Sequence, residues 1–409
     1  MTHATLTRTD WDGTVERLGG ADLLEAEARA AGAFQRPREV KTAVDMLRIA
    51  LAYCLGAAGL RLTAAWAEGH GLASLSNVAV LYRLRNCGPW LELIVARLLS
   101  QAVPAAPAPD RGLERGQRRA AAPPNANGTH TSRTRAGGRL IRLIDATVVC
   151  KAGREARSGG RVWRIHAAFD LPHGGEPERF SAFELTDEKE AERIDRLAVI
   201  PGEIRIADAV HCKPDGIARV LAASADVVVR ASWQAARWLD GDGDPFNLVL
   251  ALARNTSGVI DQPIWLGRKG GEAPLGLRLV AIKMPKDKAI QSVLAARKEA
   301  KSEGRRIQPG TLIAAEWVIL VTSLEVAAYP TARVLELYRL RWRIEIAFKR
   351  LKSIVGLKSP PGECPRTAKA WLLAHLIAVL LTEAHLSAFG DSPRSHTALV
   401  PTIGAPSAF

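Results

Sequence analysis

The sequence lacks the features of disulfide-stapled, zinc-stapled, secreted and membrane-spanning proteins. Its five cysteines stand singly, without a C-x-x-C pair or a Cys/His group at zinc-finger spacing, which fits a reducing cytoplasm. No apolar run follows the charged N-terminus, and the most apolar stretch, residues 371–381, is too short to span a bilayer. No G-x-x-x-x-G-K-[ST] motif is present, which argues against an ATP-driven step within this chain. We therefore expect a cytoplasmic protein without a membrane partner.

Acidic residues are also comparatively few. The 409 residues include 56 Lys and Arg against 42 Asp and Glu, which gives a net charge of +14. Such an excess favours a polyanionic partner, with nucleic acid ahead of an acidic membrane surface, although an arginine-rich proteome would produce the same excess. A composition that is 47% hydrophobic and 24% charged predicts a globular chain of two or three domains.

Composition and periodicity divide the chain into six segments. The first carries a short helix, a glycine turn and a second helix that Ser74 or Ser76 would cap, which is helix-turn-helix spacing. Any helical hairpin with a glycine turn shares that pattern. The predicted segments are a helical N-terminal DNA-binding domain (1–100), a Pro/Ala/Arg-rich linker (101–138), a first part of a catalytic core (139–234), a β-rich insertion (235–314), a second core part with C-terminal helices (315–390) and an irregular tail (391–409).

The core segments alternate strand-like and helical runs, which predicts an α/β fold with a mixed sheet. Two of the strand-like runs, RLIRLID and EIRIAD, end in an aspartate followed by alanine, namely Asp145 and Asp208. An aspartate that closes a strand often only opens a turn, so neither position alone predicts a site. Three histidines beside apolar runs are interpreted as core or surface residues: His166, His211 and His375.

The stretch YRLRWRIEIAFKRLKSIVGL predicts one continuous helix that Thr331 caps and Gly356 ends. At about 100° per residue, five of its charged and aromatic side chains fall within about 80° of one another, beside the apolar face. This stripe comprises Tyr338, Arg341, Glu345, Lys349 and Lys352. An ordinary ladder of ion pairs on a solvated helix face would also explain it.

Asp145, Asp208 and Glu345 together suggest more than their separate structural roles. Carboxylates delivered by two buried strands and one helix could converge, and such a group can hold two Mg²⁺ ions for phosphoryl transfer. The neighbouring Arg and Lys side chains would then bind the phosphates that flank the scissile one.

The spacing Tyr338-x2-Arg341-x3-Glu345-x6-Lys352 resembles the Y-R-E-K signature of bacterial DDE transposases of the insertion-sequence-four type. Asp145 in LIDAT and Asp208 in IADAV stand where that family places its first two catalytic carboxylates. The run DVVVRASW resembles its following strand, with an arginine at 230. The residues AVH after the second aspartate depart from the family, which places Arg or Gly and then an aromatic residue there.

The resemblance implies an α/β fold with a ribonuclease-H-like mixed-sheet core, a β-rich insertion, a helical N-terminal domain and closing C-terminal helices. It implies Mg²⁺-dependent cleavage of DNA at insertion-sequence ends and strand transfer into target DNA, with two metal ions and with Mn²⁺ able to substitute. The metal ligands would be Asp145, Asp208 and Glu345. The residues that hold DNA would be Tyr338, Arg341, Lys349, Lys352 and Arg230.

The implied partner is double-stranded DNA, both terminal inverted repeats and target, bound by a dimer in the bacterial cytoplasm at the nucleoid. Two other functions stay open on the sequence. A non-cleaving DNA-binding regulator derived from a transposase would keep the basic surface without catalysis. Another two-metal nuclease could use the same core, although the Y-R-E-K spacing speaks against it.

Overall fold

The structure is a computed structural model, and it describes residues 8–56, 59–101, 138–151, 162–172, 177–353 and 355–388. The predicted linker lies outside the described residues except at its two ends, and the predicted tail from 391 lies wholly outside them.

Five helices form the N-terminal part of the described chain. They are α1 (Arg8–Arg17), α2 (Ala21–Ala30), α3 (Ala43–Leu55), α4 (Leu60–Gly69) and α5 (Asn77–Gln101). Of the two predicted caps, Ser76 is the one used, since its hydroxyl oxygen accepts a 3.1 Å bond from the Ala79 N–H. The helix after the glycine turn, α5, continues through Pro89 to Gln101.

Nine strands of the described chain form one mixed sheet. They are β1 (Ile141–Cys150), β2 (Val162–Leu171), β3 (Arg179–Asp187), β4 (Ile204–Ala207), β5 (Asp226–Arg230), β6 (Trp238–Leu239), β7 (Val259–Leu266), β8 (Leu275–Lys283) and β9 (Trp317–Thr322). The order across the sheet is β3-β2-β1-β4-β5-β9-β8-β7-β6. The pairs β1–β4 and β4–β5 are parallel and the others antiparallel. The predicted mixed α/β fold is confirmed, and the sheet is consistent with a ribonuclease-H-like core.

Seven further helices follow or interrupt the strands. They are α6 (Pro214–Ala222), α7 (Leu248–Arg254), α8 (Lys286–Ser302), α9 (Pro309–Ala314), α10 (Thr331–Arg339), α11 (Trp342–Ser353) and α12 (Pro365–Ala388). The segment between β5 and β9 therefore holds three helices as well as three strands, and its strands extend the main sheet.

The prediction of one continuous helix from Thr331 to Gly356 is wrong. The chain forms α10 and α11, and between them the Leu340 N–H donates to the Leu337 carbonyl and the Arg341 N–H to the Tyr338 carbonyl, each at 3.1 Å. These bonds reach back three residues instead of four, so the helix tightens and breaks at Arg341. The predicted cap is also wrong, because Pro330 precedes the first turn and the Thr331 hydroxyl donates to Asp261 instead.

The sheet separates two apolar clusters. Leu143 of β1 belongs to the cluster that contains buried side chains of α3, α5 and α12, while the next residue, Ile144, faces the cluster beneath α6 and α7. Helix α12 packs along α5, and an ion pair of 2.6 Å joins Lys369 to Glu92. One helix among the described residues, over Pro365–Ala384, is long and apolar enough to cross a membrane, but 67% of the tested stretch is buried inside the protein. The apolar stretch 371–381 thus lies within a longer helix that is largely buried inside the protein.

A buried ion network fixes β1 against β4. Arg142 and Arg205 are register partners on these strands, each three residues before the aspartate that follows. Glu203, with no exposed surface, pairs with Arg142 at 3.1 Å and Arg205 at 2.5 Å, while Arg142 also binds Asp170 at 2.6 Å. A one-residue slip would leave these charges buried and unpaired, which is strongly unfavourable, so the network specifies the register.

Candidate active site

The parallel strands bring the first two predicted carboxylates side by side. Ile144 pairs with Ala207 and Ala207 with Val229, so the next residue of each strand falls in one row: Asp145, Asp208 and Arg230. Neighbouring strands lie about 4.8 Å apart, and residues at equal register in parallel strands point to the same face. Two aspartates and an arginine therefore line up across β1, β4 and β5, where β4 and β5 end. The prediction that Asp145 closes its strand is wrong, because β1 continues to Cys150.

Asp145 lies in a largely buried position. Its Oδ1 accepts a 2.8 Å bond from the Ala146 N–H, and its Oδ2 lies 3.9 Å from the Arg341 guanidinium. Burial, with a smaller contribution from the nearby Asp208 charge, raises the pKa of Asp145 to about 6, against the opposing effects of the Ala146 bond and of the His211 and Arg341 charges. The folded protein therefore holds this carboxylate charged only at an electrostatic cost.

The negative charge of Asp208 is better stabilised than that of Asp145. Its Oδ1 accepts bonds from the Val210 N–H at 3.1 Å and from His211 Nδ1 at 2.9 Å. Burial would raise the pKa of Asp208, but the hydrogen bond and charge of His211, together with the Val210 N–H, hold it below its usual range. The two neighbouring aspartates thus have opposite pKa shifts, because one has a hydrogen-bonding histidine and the other does not.

Glu345 approaches this pair through Arg341. The Arg341 guanidinium lies 2.6 Å from Glu345 Oε1 on one side and 3.9 Å from Asp145 Oδ2 on the other. Among the residues that the structure describes, no three His, Cys, Asp or Glu side chains converge closely enough to hold a metal ion. The structure therefore brings the two aspartates together, whereas the guanidinium group of Arg341 lies between Asp145 and Glu345.

The remaining residues of the predicted stripe separate into two groups. The Arg341 Cζ atom lies 5.8 Å from the centre of the Tyr338 ring, and burial raises the pKa of Tyr338 against the opposing charges of Arg341 and Arg230. Tyr338 thus lies beside the row of Asp145, Asp208 and Arg230. Lys349 and Lys352 are exposed farther along α11, and the Lys349 ammonium lies 4.8 Å from the centre of the Trp342 ring.

The donor chemistry at this position fits a divalent cation. Each aspartate anchors Oδ1 to a backbone N–H and keeps Oδ2 for another partner. The raised pKa of Asp145 reflects burial and an anionic neighbour, and a bound cation would relieve both. Mg²⁺ prefers carboxylate oxygens and keeps several waters, so two or three carboxylates suffice to hold it.

His211 is the site-lining residue that the sequence interpretation missed. It is 1% exposed and bonds to a predicted metal ligand instead of filling the core by itself. The signal was a histidine three residues after an aspartate that ends a buried strand, a spacing at which one short turn can bring the two side chains together. His166 and His375 do lie in the interior, bonded to Thr186 and to the Trp371 carbonyl.

Comparison with known proteins gives the family. A family model described as "Transposase DDE domain" matches residues 136–381. The chain is 36% identical over 389 residues to a protein of Escherichia coli (strain K12) named as a transposase for insertion sequence element IS186A. The aligned residues make up 94% of this chain and 96% of that protein. It is also 36% identical over 390 residues to the Escherichia coli transposase for insertion sequence element IS421, with the same coverage. The match spans β1 to α12 and includes every residue of the row and of the stripe, and the chain belongs to the family of transposases with a DDE domain.

Proposed function

We propose that the chain is a transposase of the insertion-sequence-four type that cuts DNA at the ends of an insertion sequence and joins those ends to target DNA. The observation that supports this most is the row formed by Asp145, Asp208 and Arg230, with Glu345 joined to it through Arg341. The full-length similarity to insertion-sequence transposases supports the same conclusion.

The two chemical steps are both phosphodiester exchanges. In the first, water attacks the phosphorus at the element's end and the 3′-oxygen leaves as a free hydroxyl. In the second, that hydroxyl attacks a phosphodiester of the target, forms a new bond and displaces the target's own 3′-oxygen. Two Mg²⁺ ions, for which Mn²⁺ could substitute, would stabilise the attacking and leaving oxygens.

The acidic residues of the site would bind the metal ions, and the basic residues would bind the DNA phosphates. Asp145, Asp208 and Glu345 are the proposed metal ligands, and the buried ion network behind the two aspartates keeps their strands in register. Arg230 and Arg341 would bind the phosphates beside the scissile bond, because guanidinium groups match phosphate oxygens in pairs. Tyr338, Lys349 and Lys352 are the further proposed DNA contacts.

We propose that the N-terminal segment 1–100 recognises the DNA ends. Helices α4 and α5 are joined by a glycine-containing turn, and Val78 and Tyr82, 67% and 68% exposed, lie one turn apart near the start of α5. Large exposed side chains at the start of the second helix are typical of a helix that enters the major groove. Pairing two DNA ends would require at least a dimer on DNA, working in the cytoplasm at the nucleoid.

The second candidate is a non-cleaving DNA-binding regulator. The close Arg341–Glu345 ion pair favours it, because a metal ion at Glu345 would have to compete with the Arg341 guanidinium for the carboxylate. It would retain salt-sensitive DNA binding and lack cleavage with either metal.

The test uses the full chain and the short inverted repeats that flank its gene. We expect Mg²⁺-dependent cuts at the repeat boundaries that leave 3′-hydroxyls, and strand-transfer products when target DNA is added. EDTA should abolish both. Repeat-specific binding without cleavage in either Mg²⁺ or Mn²⁺ would establish the regulator instead, and cleavage without strand transfer would indicate a different nuclease.

A further inference from the structure

Two groups of the loop after β4 donate hydrogen bonds to the same oxygen of Asp208. The Val210 N–H and His211 Nδ1 both bond to Oδ1, at 3.1 and 2.9 Å, within a single short turn over Ala209–His211. His211 is 1% exposed, so its ring is fixed by the surrounding side chains and cannot swing into solvent. Two donors at one oxygen define the rotation of the carboxylate about its terminal bond, which is otherwise broad.

We propose that His211 is a positioning residue for Asp208. Its Nδ1–H donates to Oδ1 and holds the carboxylate so that Oδ2 is the oxygen left for a metal ion next to Asp145. The proposal rests on the proposed function, because it assumes that Asp208 is a ligand. The Val210 N–H alone would cap the turn, so the histidine is not needed to form the loop.

A matched pair of substitutions separates positioning from packing. In His211→Asn the amide nitrogen stands near the place of Nδ1, whereas in His211→Gln it stands near that of Nε2. Both side chains are polar and similar in size, so a merely structural role would affect them alike. Only the asparagine can restore the bond to Asp208.

The measurement is Mn²⁺ binding to the DNA-bound full chain by electron paramagnetic resonance, with thermal unfolding as the check on folding. We expect His211→Asn to bind within about threefold of wild type and His211→Gln to bind about 10–100-fold more weakly, the range found when a ligand loses its supporting hydrogen bond. Equal binding by the two variants, whether strong or weak, would overturn the proposal. Unchanged Mn²⁺ binding in Asp208→Asn would instead show that the proposed metal site is wrong.

A second, independent observation concerns α8. Arg230 pairs with Leu320 and Leu320 with Val280, so the row of Asp145, Asp208 and Arg230 continues to β8. Strand β8 runs in the same direction as β1. Strand β8 ends at Lys283, three residues beyond that row, and α8 begins at Lys286. Helix α8 therefore leaves the sheet at the edge on which the aspartates lie.

This helix presents a basic face to solvent. Residues 283–306 contain eight Lys and Arg against three Asp and Glu. Ala289 and Ala300 are buried, whereas Ile290 and Leu294 are 51% and 58% exposed. At about 100° per residue these two aliphatic side chains share one face of about 80° with three exposed cations. These are Lys286, Arg297 and Lys301.

We infer that this face of α8 holds the sugar–phosphate backbone of duplex DNA several base pairs away from the reacting phosphate. Four strand steps separate β1 from β8, or about 19 Å at about 4.8 Å per step. At 3.4 Å per base pair this corresponds to about six base pairs from the reacting phosphate. The cations would neutralise phosphates, and Ile290 and Leu294 would contact the apolar sugar edges.

The test compares two triple variants that lose the same net charge. One carries Lys286→Gln, Arg297→Gln and Lys301→Gln, and the control carries Lys189→Gln, Arg254→Gln and Lys358→Gln, three exposed cations outside α8. The measurement is the slope of the logarithm of the DNA-binding constant against the logarithm of the salt concentration. In the α8 variant we expect the magnitude of this slope to decrease by about 0.9 for each lost phosphate contact, up to about 2.7. In the control it should change little.

Two DNA substrates identify which duplex the face holds. If the α8 variant loses affinity only for the inverted-repeat duplex, the face binds the element's end. If it loses only the joining to target, the face binds target DNA. Equal slopes in the two triple variants, or a loss of self-association without a change in slope, would overturn the inference. If the wild-type chain cuts no DNA at all, the proposed function fails, but the slope comparison still decides the role of α8.

Discussion

Asp145→Asn and Glu345→Gln are each expected to lower Mg²⁺-dependent DNA cleavage by about a thousandfold or more. Both substitutions keep the shape of the side chain and remove a charge that a divalent ion needs. Stabilisation of the transition state by bound metal amounts to several kcal/mol, and each 1.36 kcal/mol is a factor of ten in rate. Binding of the DNA should persist, because the proposed phosphate contacts, Arg230, Arg341 and Lys352, remain.

The assay is cleavage of inverted-repeat DNA at saturating protein, so that a change in affinity does not enter the rate. Glu336→Gln is the matched control, since Glu336 lies on α10, one helix before Glu345, and is 55% exposed in an ion pair with Arg333. We expect it to cut at the wild-type rate. Wild-type cleavage by Asp145→Asn or Glu345→Gln would refute the assignment of the metal ligands.

The second large effect is on stability, and the two aspartates should differ in sign. The folded pKa of Asp145 is about 6 against an ordinary 3.8, so the folded chain binds this proton more tightly than the unfolded chain. Stability therefore falls as the pH rises from about 4 to about 6, and the whole penalty is present above that window. Asp145→Asn removes the penalty and should stabilise the metal-free protein by about 3 kcal/mol at pH 8, with no gain at pH 4.

Asp208→Asn should have the opposite effect. The folded pKa of Asp208 lies below its usual range, so its charge contributes stability that is present above the unfolded pKa and is lost as the pH falls. Removing that charge should destabilise the protein at pH 8. Because Asp208 is 38% exposed, solvent screening makes this loss smaller than the gain in Asp145→Asn.

Denaturant unfolding in EDTA at pH 4 and pH 8 measures both changes. Two outcomes would contradict the account of the local electrostatics. One is an Asp145→Asn protein no more stable than wild type at pH 8. The other is a gain of the same size at both pH values, which would indicate a packing effect instead of a charge effect.

The sequence predicts the sheet and its two aspartates for a physical reason. Buried strands are rich in branched apolar residues, and the aspartates in RLIRLID and EIRIAD mark where those strands meet the site. Parallel pairing then places Asp145 and Asp208 in one row. The spacing of Tyr338, Arg341 and Glu345 likewise predicts that these three share one side, and they do meet, although through a broken helix.

The features that were not predictable depend on tertiary contacts. Propensity alone favours a continuous helix through Arg341, and the tightening of its backbone is seen only when the chain is folded. The partners of Arg142 and Arg205 come from β2 and from the start of β4, and such pairs have no periodic signal. A histidine beside an apolar run is typical of a core, and only the position of His211 three residues after Asp208 distinguished it in the sequence.

The most direct test of the metal site is the anomalous scattering of Mn²⁺ in crystals of the protein bound to its inverted-repeat DNA. We predict metal density with carboxylate oxygens of Asp145, Asp208 and Glu345 as ligands, at about 2.1 Å, and Arg341 displaced from Glu345 towards a phosphate. Manganese bound elsewhere, with the Arg341 guanidinium still between Asp145 and Glu345, would contradict this prediction.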